Sequence, residues 1–351
     1  MGISEPRDLD RVRRGFTNWL QEWRTDAERT SVAPIDKPAT GLSSETLFVE
    51  VDWRVGGRDE HVSLVARLPP HGDGLFPTYD IVTQGHLQRL VAGAGLPAVA
   101  PLAVEADERW VGAPFLLMPR VAGRVVRADI PYLRSGWLAD ATPDEQARLH
   151  AELVRLLSSL HRLDWHALGC ERLLGPAGGH RLQAEVDRWR AYLAWAGDGG
   201  VPGVYEHAAA WCAAHVPDPE PPASLLWGDA QLGNVLVGDD MAVTAMLDFE
   251  MASIGPAELD LGWFRVLHRM TVARCGGDLP GFPDESATLA LYERQLGRAV
   301  DDLLWYEVFA ALRSGAVMVR AARLLARLGV DDSWLTTGNP TIDLLDELLK
   351  T

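Results

Sequence analysis

The sequence predicts an α+β protein with a small sheet-rich N-terminal lobe and a larger, mainly helical C-terminal lobe. Three observations favour this fold class. A length of 351 residues is typical of two lobes or domains rather than one. Apolar and polar residues alternate over 46–68, which is the period of a half-buried strand. After Gly123 the apolar residues instead recur at the three- and four-residue spacing of helices.

The N-terminal lobe is predicted to begin with one helix over 7–28, where Leu, Val, Phe and Trp recur at helical spacing. In TLFVEVDWRV (46–55) the Leu, Val and Trp residues share one face and the charged residues take the other, which predicts a strand. After the turn GGRDE, HVSLVARL (61–68) returns as a second strand. A helix is predicted over 78–92 and a pair of strands over 109–121.

The C-terminal lobe is predicted to begin with a helix whose N-cap is Thr142, because acidic residues follow in the first turn and apolar residues then recur at helical spacing. Further helices are predicted over 180–197, 203–215, 285–297 and 300–328. Two short apolar strands, NVLV (234–237) and VTAMLDF (243–249), flank the turn GDDM and predict a β-hairpin.

The formal net charge of −16 argues against nucleic acid as a partner, because the phosphate backbone attracts basic proteins. Residues 1–124 carry 14 basic and 17 acidic side chains, whereas residues 125–351 carry 19 and 32. The acidity is therefore concentrated in the C-terminal part. It serves either solubility or an acidic binding site that attracts a cationic ligand.

The apolar stretches are shorter than the ~18 residues that a membrane span needs. The N-terminal residues lack the apolar centre of a signal peptide, so we expect a cytoplasmic protein with no membrane partner. The sequence does not indicate an oligomeric state. Cys170, Cys212 and Cys275 form an odd set without metal-site spacing, and we expect them to be ordinary reduced residues.

The segment LLWGDAQLGNVLV (225–237) interrupts an apolar run with Asp229 and, five residues later, Asn234. The predicted hairpin brings Asp248 to the same end of the sheet. An Asp in a turn commonly caps the local backbone, but this combination of two carboxylates and an amide is typical of phosphoryl transfer. One carboxylate accepts the proton of an attacking hydroxyl, and the other two groups hold Mg²⁺ on nucleotide phosphates.

The segments WGDAQLGNVL and MLDFE resemble the HGDxxxxN and D[WF]E motifs of the aminoglycoside phosphotransferase family. The closest resemblance is to the subgroup related to acyl-CoA dehydrogenase-associated kinase domains, and it runs over most of the chain. It implies the protein-kinase-like fold, ATP or GTP bound between the lobes, Mg²⁺, and a small-molecule hydroxyl acceptor. The implied division is an N-lobe over 1–118, a hinge over 119–125 and a helical C-lobe over 126–351.

The resemblance also implies roles for single residues. Asp229 would be the catalytic base, and Asn234 and Asp248 would be the metal ligands. The turn GLSSE (41–45) would cover the phosphates with its backbone N–H groups and the hydroxyls of Ser43 and Ser44, unless it is a plain hairpin loop.

In the hinge implied by the resemblance, Met118 would be the gatekeeping residue. Adenine would then donate to the Pro119 carbonyl and accept from the Val121 N–H, a scheme that tolerates a proline at 119.

The chain departs from the family pattern at the phosphate-binding lysine. Lys37 and Lys350 are its lysines, and neither lies on the matching strand, where Arg67 stands instead. A guanidinium can bind two phosphate oxygens and stays charged. The usual Glu partner falls at Gln84 or at the neighbouring Gly85; neither can form the ion pair, although Gln84 can donate to or accept a hydrogen bond.

Other departures leave several functions open. Trp227 replaces the His that usually precedes Gly-Asp, and we expect it to substitute structurally. A nucleotide-binding pseudokinase or regulator and a hydroxyacyl-CoA kinase are alternatives to an aminoglycoside-like acceptor. A protein kinase is disfavoured, because about nine residues separate Phe249 from the next helix, too few for a peptide-docking activation segment. Asp260 either braces the catalytic loop or is a partly buried residue at a helix start. His161, Arg162 and His268 are either acceptor contacts or packed or solvated helix residues.

Overall fold

The computed structural model describes residues 6–38, 43–126, 132–175, 181–198, 200–330 and 338–350. Packing divides the chain into two units. The first comprises Met1–Gly93 and Val99–Val121, and the second comprises Ala94–Ala98 and Ala122–Thr351. The boundary between Val121 and Ala122 falls within the range predicted for the hinge. In the described part of the chain, no helix is both long and apolar enough to cross a membrane.

The first unit is an antiparallel sheet with two helices. Its five strands follow the order β1-β2-β3-β5-β4. The elements in chain order are α1 (Leu9–Trp23), β1 (Ala27–Val32), β2 (Glu45–Val55), β3 (Arg58–Leu68), α2 (Ile81–Gly93), β4 (Ala103–Glu105) and β5 (Phe115–Pro119).

The core of this unit forms where α1 packs on the sheet. The predicted alternation in β2 is confirmed, since Leu47, Val49 and Val51 are fully buried. Phe16 of α1 meets the ring of Phe115 edge to face at 5.1 Å between centroids. Burial of such apolar faces is the main force that holds a helix on a sheet.

Two predictions for this unit were wrong. The first helix does not extend to residue 28: it ends at Trp23, and Ala27–Val32 forms a strand paired with β2. Pairing with an exposed strand edge outweighed local helical spacing in this short polar segment. The expected strand pair over 109–121 is one strand only, Phe115–Pro119, whose neighbours are β3 and Ala103–Glu105.

The second unit is mainly helical, with two small sheets. Its strands are β6 (Arg124–Val125), β7 (Ala223–Leu226), β8 (Val235–Val237), β9 (Val243–Met246) and β10 (Ser253–Pro256). Its described helices are α3 (Pro143–His161), α4 (Glu171–Leu174), α5 (Arg181–Gly197), α6 (Gly203–Ala214), α7 (Glu258–Cys275), α8 (Glu285–Leu296), α9 (Leu303–Arg327) and α10 (Pro340–Leu348). The sheets are β10-β7 and β6-β8-β9. The helices predicted within 180–328 are thus confirmed.

The N-cap prediction for α3 is also confirmed. The backbone N–H of Glu145 donates to Thr142 Oγ1 at 3.3 Å, and the Glu145 carboxylate accepts from the Thr142 N–H at 2.8 Å. This reciprocal pair is a capping box, which satisfies two backbone donors that the helix itself leaves without partners. The three cysteines are buried and free, as the sequence predicts.

Helix α9 is the central helix of this unit and packs against α5, α6, α7 and α10. Its backbone comes near that of α7 at Gly262, where an added Cβ would lie 2.8 Å from the carbonyl oxygen of Tyr306. Only a residue without a side chain allows the two backbones to come this near. This contact fixes the position of α7, the helix that carries Asp260.

Candidate active site

The loop between β7 and β8 (227–234), which we call the catalytic loop, carries the Gly-Asp pair. Its shape depends on Gly228. This glycine has a φ of +87°, and an added Cβ would lie 2.1 Å from the Met251 carbonyl oxygen. Both the left-handed backbone and the lack of space require glycine here. The backbone N–H groups of Trp227 and Gly228 donate to the Asp260 carboxylate at 2.7 and 2.9 Å. The expectation that Asp260 braces the loop is confirmed.

Asp260 is held in turn by two buried side chains. His161 Nε2 lies 3.1 Å from Asp260 Oδ2, and His161 Nδ1 lies 2.6 Å from the hydroxyl of Tyr292. Burial raises the pKa of Tyr292 well above its usual value, with Glu258 and Asp260 adding to the shift. The phenol therefore keeps its proton and can donate to His161 Nδ1, which leaves Nε2–H to donate to Asp260. His161 is thus a packed residue that positions the loop.

Trp227 ties the same loop to the neighbouring hairpin. Its side chain is buried, and its indole N–H donates to the carbonyl oxygen of Leu247 at 2.8 Å. Leu247 immediately precedes Asp248. The tryptophan therefore links the two segments that carry acidic groups, which agrees with the expectation that it replaces a histidine structurally.

Asp229 is a partly buried carboxylate surrounded by donors. Its Oδ1 accepts from Gln231 Nε2 at 2.7 Å and from Trp263 Nε1 at 2.8 Å, and its Oδ2 accepts from Asn234 Nδ2 at 2.7 Å. Burial raises the pKa of Asp229, and the negative charge of Asp248 raises it further, against the lowering effect of the three donors. A carboxylate with a raised pKa and a fixed orientation is suited to accept a proton.

The predicted hairpin of β8 and β9 is confirmed. Asn234 immediately precedes β8 and Asp248 lies two residues after β9, so both flank the same end of the hairpin. Val235 pairs with Met246, and the Leu247 N–H donates to the Asn234 carbonyl oxygen at 2.8 Å. Asp248 adopts a left-handed backbone with φ of 59°, which is uncommon for a residue other than glycine. Because Nδ2 of Asn234 binds Asp229, its Oδ1 is the side-chain atom left to contact a cation. Amide and carboxylate oxygens are the ligands that Mg²⁺ prefers.

Trp263 and Arg313 support the catalytic loop, and sequence reasoning missed both. The Arg313 guanidinium is buried over the rings of Trp189 and Trp263, 5.0 and 4.7 Å from their centroids. It donates to the Gly228 carbonyl oxygen at 3.4 Å. Burial lowers the pKa of Arg313 to about 10, so it remains charged at neutral pH. The available signal for Trp263 was its spacing, one helical turn after Asp260.

The first unit holds the residues predicted to bind phosphate. Arg67 lies on β3 opposite Thr46, and its Nη1 donates to Thr46 Oγ1 at 2.9 Å. Gln84 is buried on α2, whereas at Gly85 an added Cβ would lie 2.3 Å from Leu116, so the position after Gln84 packs on the sheet. The role of Arg67 in nucleotide binding and its contact with Gln84 stay predictions.

Lys37 is engaged elsewhere in this unit. Its Nζ lies 2.8 Å from Glu45 Oε1, and Arg7 contacts the other carboxylate oxygen of Glu45 at 2.6 Å. Burial raises the pKa of Glu45, but the hydrogen bonds from Lys37 and Arg7 outweigh it, and the net shift is downward. Lys37 thus serves a structural ion pair, in agreement with its exclusion as the phosphate-binding lysine.

The remaining predicted nucleotide contacts also belong to the first unit. Ser44 is buried, and the Ser43 hydroxyl lies 3.5 Å from that of Tyr79; the first two residues of GLSSE fall outside the described residues. Met118 is buried on β5 opposite Val65. Pro119 ends that strand and is exposed, and Val121 is the last residue of the unit. Their contacts with a nucleotide stay predictions.

The sequence model of the phosphotransferase enzyme family (APH) matches residues 38–277. The chain belongs to this phosphotransferase family. The chain is similar to acyl-CoA dehydrogenase family member 11 from the rat, Rattus norvegicus, with 24% identity over 280 residues. The match covers 77% of this chain and 34% of the rat protein, so the chain spans about a third of that relative's length.

Solved structures show the fold of the chain. A candidate aminoglycoside phosphotransferase from Ralstonia eutropha has a TM-score of 0.69 and 21% identity, with 96% of this chain and 97% of that one covered. A thermostable aminoglycoside phosphotransferase APH(4)-Ia variant, in ternary complex with ADP and hygromycin B, has a TM-score of 0.57 and 14% identity, with 95% and 98% covered. The protein-kinase-like α+β fold predicted from the sequence is confirmed.

Proposed function

We propose that this phosphotransferase moves the γ-phosphate of ATP or GTP to a hydroxyl of a small molecule, with Asp229 as the catalytic base. The observation that carries the proposal is the setting of Asp229, whose carboxylate is oriented by Trp263, Gln231 and Asn234 and whose pKa is raised by burial and by Asp248. The ADP complex of the APH(4)-Ia variant supports a nucleotide as the co-substrate.

Asp229 accepts the acceptor's hydroxyl proton and orients its oxygen toward the phosphorus. Holding the two reacting groups in line is the larger part of catalysis in phosphoryl transfer, because little covalent chemistry falls to the protein. Asn234 and Asp248 would hold Mg²⁺, which when bound neutralises charge on the phosphate oxygens. Arg67 and the Ser43 and Ser44 turn are proposed to bind the phosphates from the first unit.

Replacement of the base tests this assignment. Asp229→Asn keeps the size of the side chain but removes the proton acceptor, so we expect turnover to fall at least about a thousandfold with nearly unchanged nucleotide affinity. Asp239→Asn, an exposed acid on the hairpin turn, is the matched control. The assay incubates protein, Mg²⁺, ATP or GTP and a pooled library of hydroxylated metabolites and antibiotics, and detects phosphorylated products by mass spectrometry. Turnover that survives Asp229→Asn would show that another group is the base.

A nucleotide-binding regulator is the second candidate. The observation that favours it lies on β3, where Arg67 replaces lysine and binds Thr46, and where the helix offers Gln84 and Gly85 instead of glutamate. Tight nucleotide binding without any phosphorylated product would support the regulator. The acceptor is also open: the hygromycin B complex favours an amino sugar, whereas the acyl-CoA dehydrogenase relatives favour a hydroxyacyl thioester.

A further inference from the structure

A cavity of about 190 Å³ lies beside the catalytic loop in the second unit. Gln231 and Gly233, in the loop that precedes β8, form one side of its lining, and α7 forms another. The Gln231 side chain that faces this cavity donates to Asp229 Oδ1 at 2.7 Å. A molecule in the cavity therefore lies one side chain away from the proposed base.

The lining is mostly apolar and carries no carboxylate among the described residues. Its apolar members are Leu232, Phe264, Leu267, Met270, Met318 and Pro340. The absence of acids here contrasts with the acidity of the C-terminal part of the sequence. The acidic surface of this part therefore does not extend into the described lining of the cavity.

The charged or titratable groups that line the cavity are basic or phenolic. Arg274 and His268 are its basic members, and His268 Nε2 lies 2.7 Å from Asp278 Oδ2, which belongs to a neighbouring loop. Burial raises the pKa of Tyr132, although a hydrogen bond to Thr271 opposes the shift, so the phenol is uncharged at neutral pH. A polycation in this cavity would meet positive charge and apolar surface, which is unfavourable.

We propose that this cavity is the acceptor site and takes the apolar part of an aliphatic or aromatic alcohol rather than an amino sugar. The inference rests on the proposed function. An apolar protein cavity of about 150 Å³ binds benzene, so this cavity takes an apolar group of about six to eight carbons. Methionine side chains such as Met270 and Met318 adapt to ligands of differing shape.

In this arrangement the alcohol places its hydroxyl toward Gln231 and Asp229. The O–H proton passes to the Asp229 carboxylate, and the alcohol oxygen forms a bond to the γ-phosphorus. The bond from that phosphorus to the bridging oxygen breaks, and its electron pair leaves with the nucleoside diphosphate. The products are a phosphate monoester and ADP or GDP.

Linear alkan-1-ols from ethanol to octan-1-ol test the ligand class, with benzyl alcohol, kanamycin and hygromycin B as comparison acceptors. Two readouts are needed: phosphate monoester formation with ATP and Mg²⁺, and direct binding of hexan-1-ol by ligand-observed NMR. Each added methylene is expected to lower KM about threefold to fourfold until the cavity is full, after which the gain stops.

Two variants test whether hexan-1-ol binds in this cavity. Met318→Trp fills the cavity from α9, and Leu267→Asn makes its wall polar from α7; both are half-buried residues. Each is expected to weaken hexan-1-ol binding at least tenfold. Val317→Trp places the same bulk on the neighbouring half-buried position of α9, outside the lining, and should leave binding unchanged. Thermal unfolding curves verify that all three variants fold.

The outcomes separate this inference from the proposed function. Turnover that depends on alcohol chain length, and that Met318→Trp and Leu267→Asn both lower, supports the inference and the proposed function. Binding of hexan-1-ol that the variants weaken, without any phosphate product from any acceptor, supports the ligand class and overturns the proposed function. Phosphorylation of kanamycin without binding of hexan-1-ol overturns the inference and leaves the proposed function standing. If Met318→Trp and Val317→Trp weaken hexan-1-ol binding equally, the inference is also overturned.

Discussion

The catalytic loop and the β3 region differ in how completely they keep the pattern of their family. The loop retains Asp229, and Asp260 secures the backbone that precedes it by accepting two backbone N–H groups. On β3, Arg67 stands where the family pattern has a lysine, and its guanidinium donates to Thr46. On α2, Gln84 stands where the pattern has a glutamate. The base proposed to act on the acceptor is kept, while the phosphate-binding lysine and its glutamate partner have both been replaced.

This difference follows from the geometry that each region needs. A base must meet one proton at a short distance and at one angle, so its orientation by several hydrogen bonds cannot be relaxed. Phosphates carry diffuse charge over several oxygens, and either a guanidinium or an ammonium can neutralise them. We therefore expect substitutions in the loop to cost more activity than substitutions on β3, and three experiments address this comparison.

The largest effect is expected for Asp260→Asn. The amide would present a donor to backbone N–H groups and would remove a buried charge from a network that includes His161, at a cost of about 3–5 kcal/mol in the free energy of unfolding. Displacement of the loop should also lower kcat at least about a hundredfold. Urea denaturation and steady-state kinetics measure the two quantities. Asp187→Asn, on the exposed face of α5, is the control and should change the stability by less than about 0.5 kcal/mol.

If Asp260→Asn keeps both the free energy of unfolding and the kcat of the unmodified protein, Asp260 does not hold the loop in place. The same result would also remove the basis for the contrast, since the loop would then tolerate change as well as β3 does.

Arg67→Ala is expected to have the next largest effect. Loss of a charged hydrogen-bonding group should raise KM for ATP about tenfold to a hundredfold, with a smaller change in kcat. Arg67→Lys keeps the charge, so we expect it to raise KM for ATP less than about threefold. Thr46→Val removes the partner of Arg67 and serves as the control for indirect effects. If Arg67→Lys raises KM for ATP as much as Arg67→Ala does, the geometry at position 67 matters as well as its charge, and β3 tolerates substitution no better than the loop.

Trp263→Phe is expected to have the smallest effect on kcat/KM, a fall of about tenfold that arises in kcat. Its effect on the pH dependence of kcat is the most specific of the three. The indole N–H lowers the pKa of Asp229, against burial and Asp248, which raise it. Removal of this donor therefore raises the pKa further. The proposed base works as the carboxylate, so activity is expected to be lost as the pH falls through this pKa, and the acid limb of kcat should move to higher pH.

Profiles of kcat from pH 5 to 9 test this expectation, with Trp211→Phe on α6 as the control. A limb that stays in place would show that Trp263 only fills space.

Local patterns predicted the parts of the site that are close in sequence. The spacing of Asp229 and Asn234 and the alternation of the hairpin strands were sufficient, because hairpin pairing is a local event. Arg313 and its contact with the Gly228 carbonyl were missed, since they are 85 residues apart and only the packing of α9 brings them together. The strand Ala27–Val32 was missed for the same reason: its partner β2 lies beyond a long connection.

Gly262 is a point of contact whose influence reaches beyond stability. Asp260 and Trp263 flank it on α7, and its missing side chain lets the backbone of α7 rest against that of Tyr306. Any side chain at 262 would push the helix outward and carry both of these residues with it. The spacing of α7 and α9 therefore sets the position of Trp263, which orients the proposed base Asp229. A substitution at Gly262 would therefore lower the catalytic rate in an enzyme assay, although it changes none of the groups proposed to react.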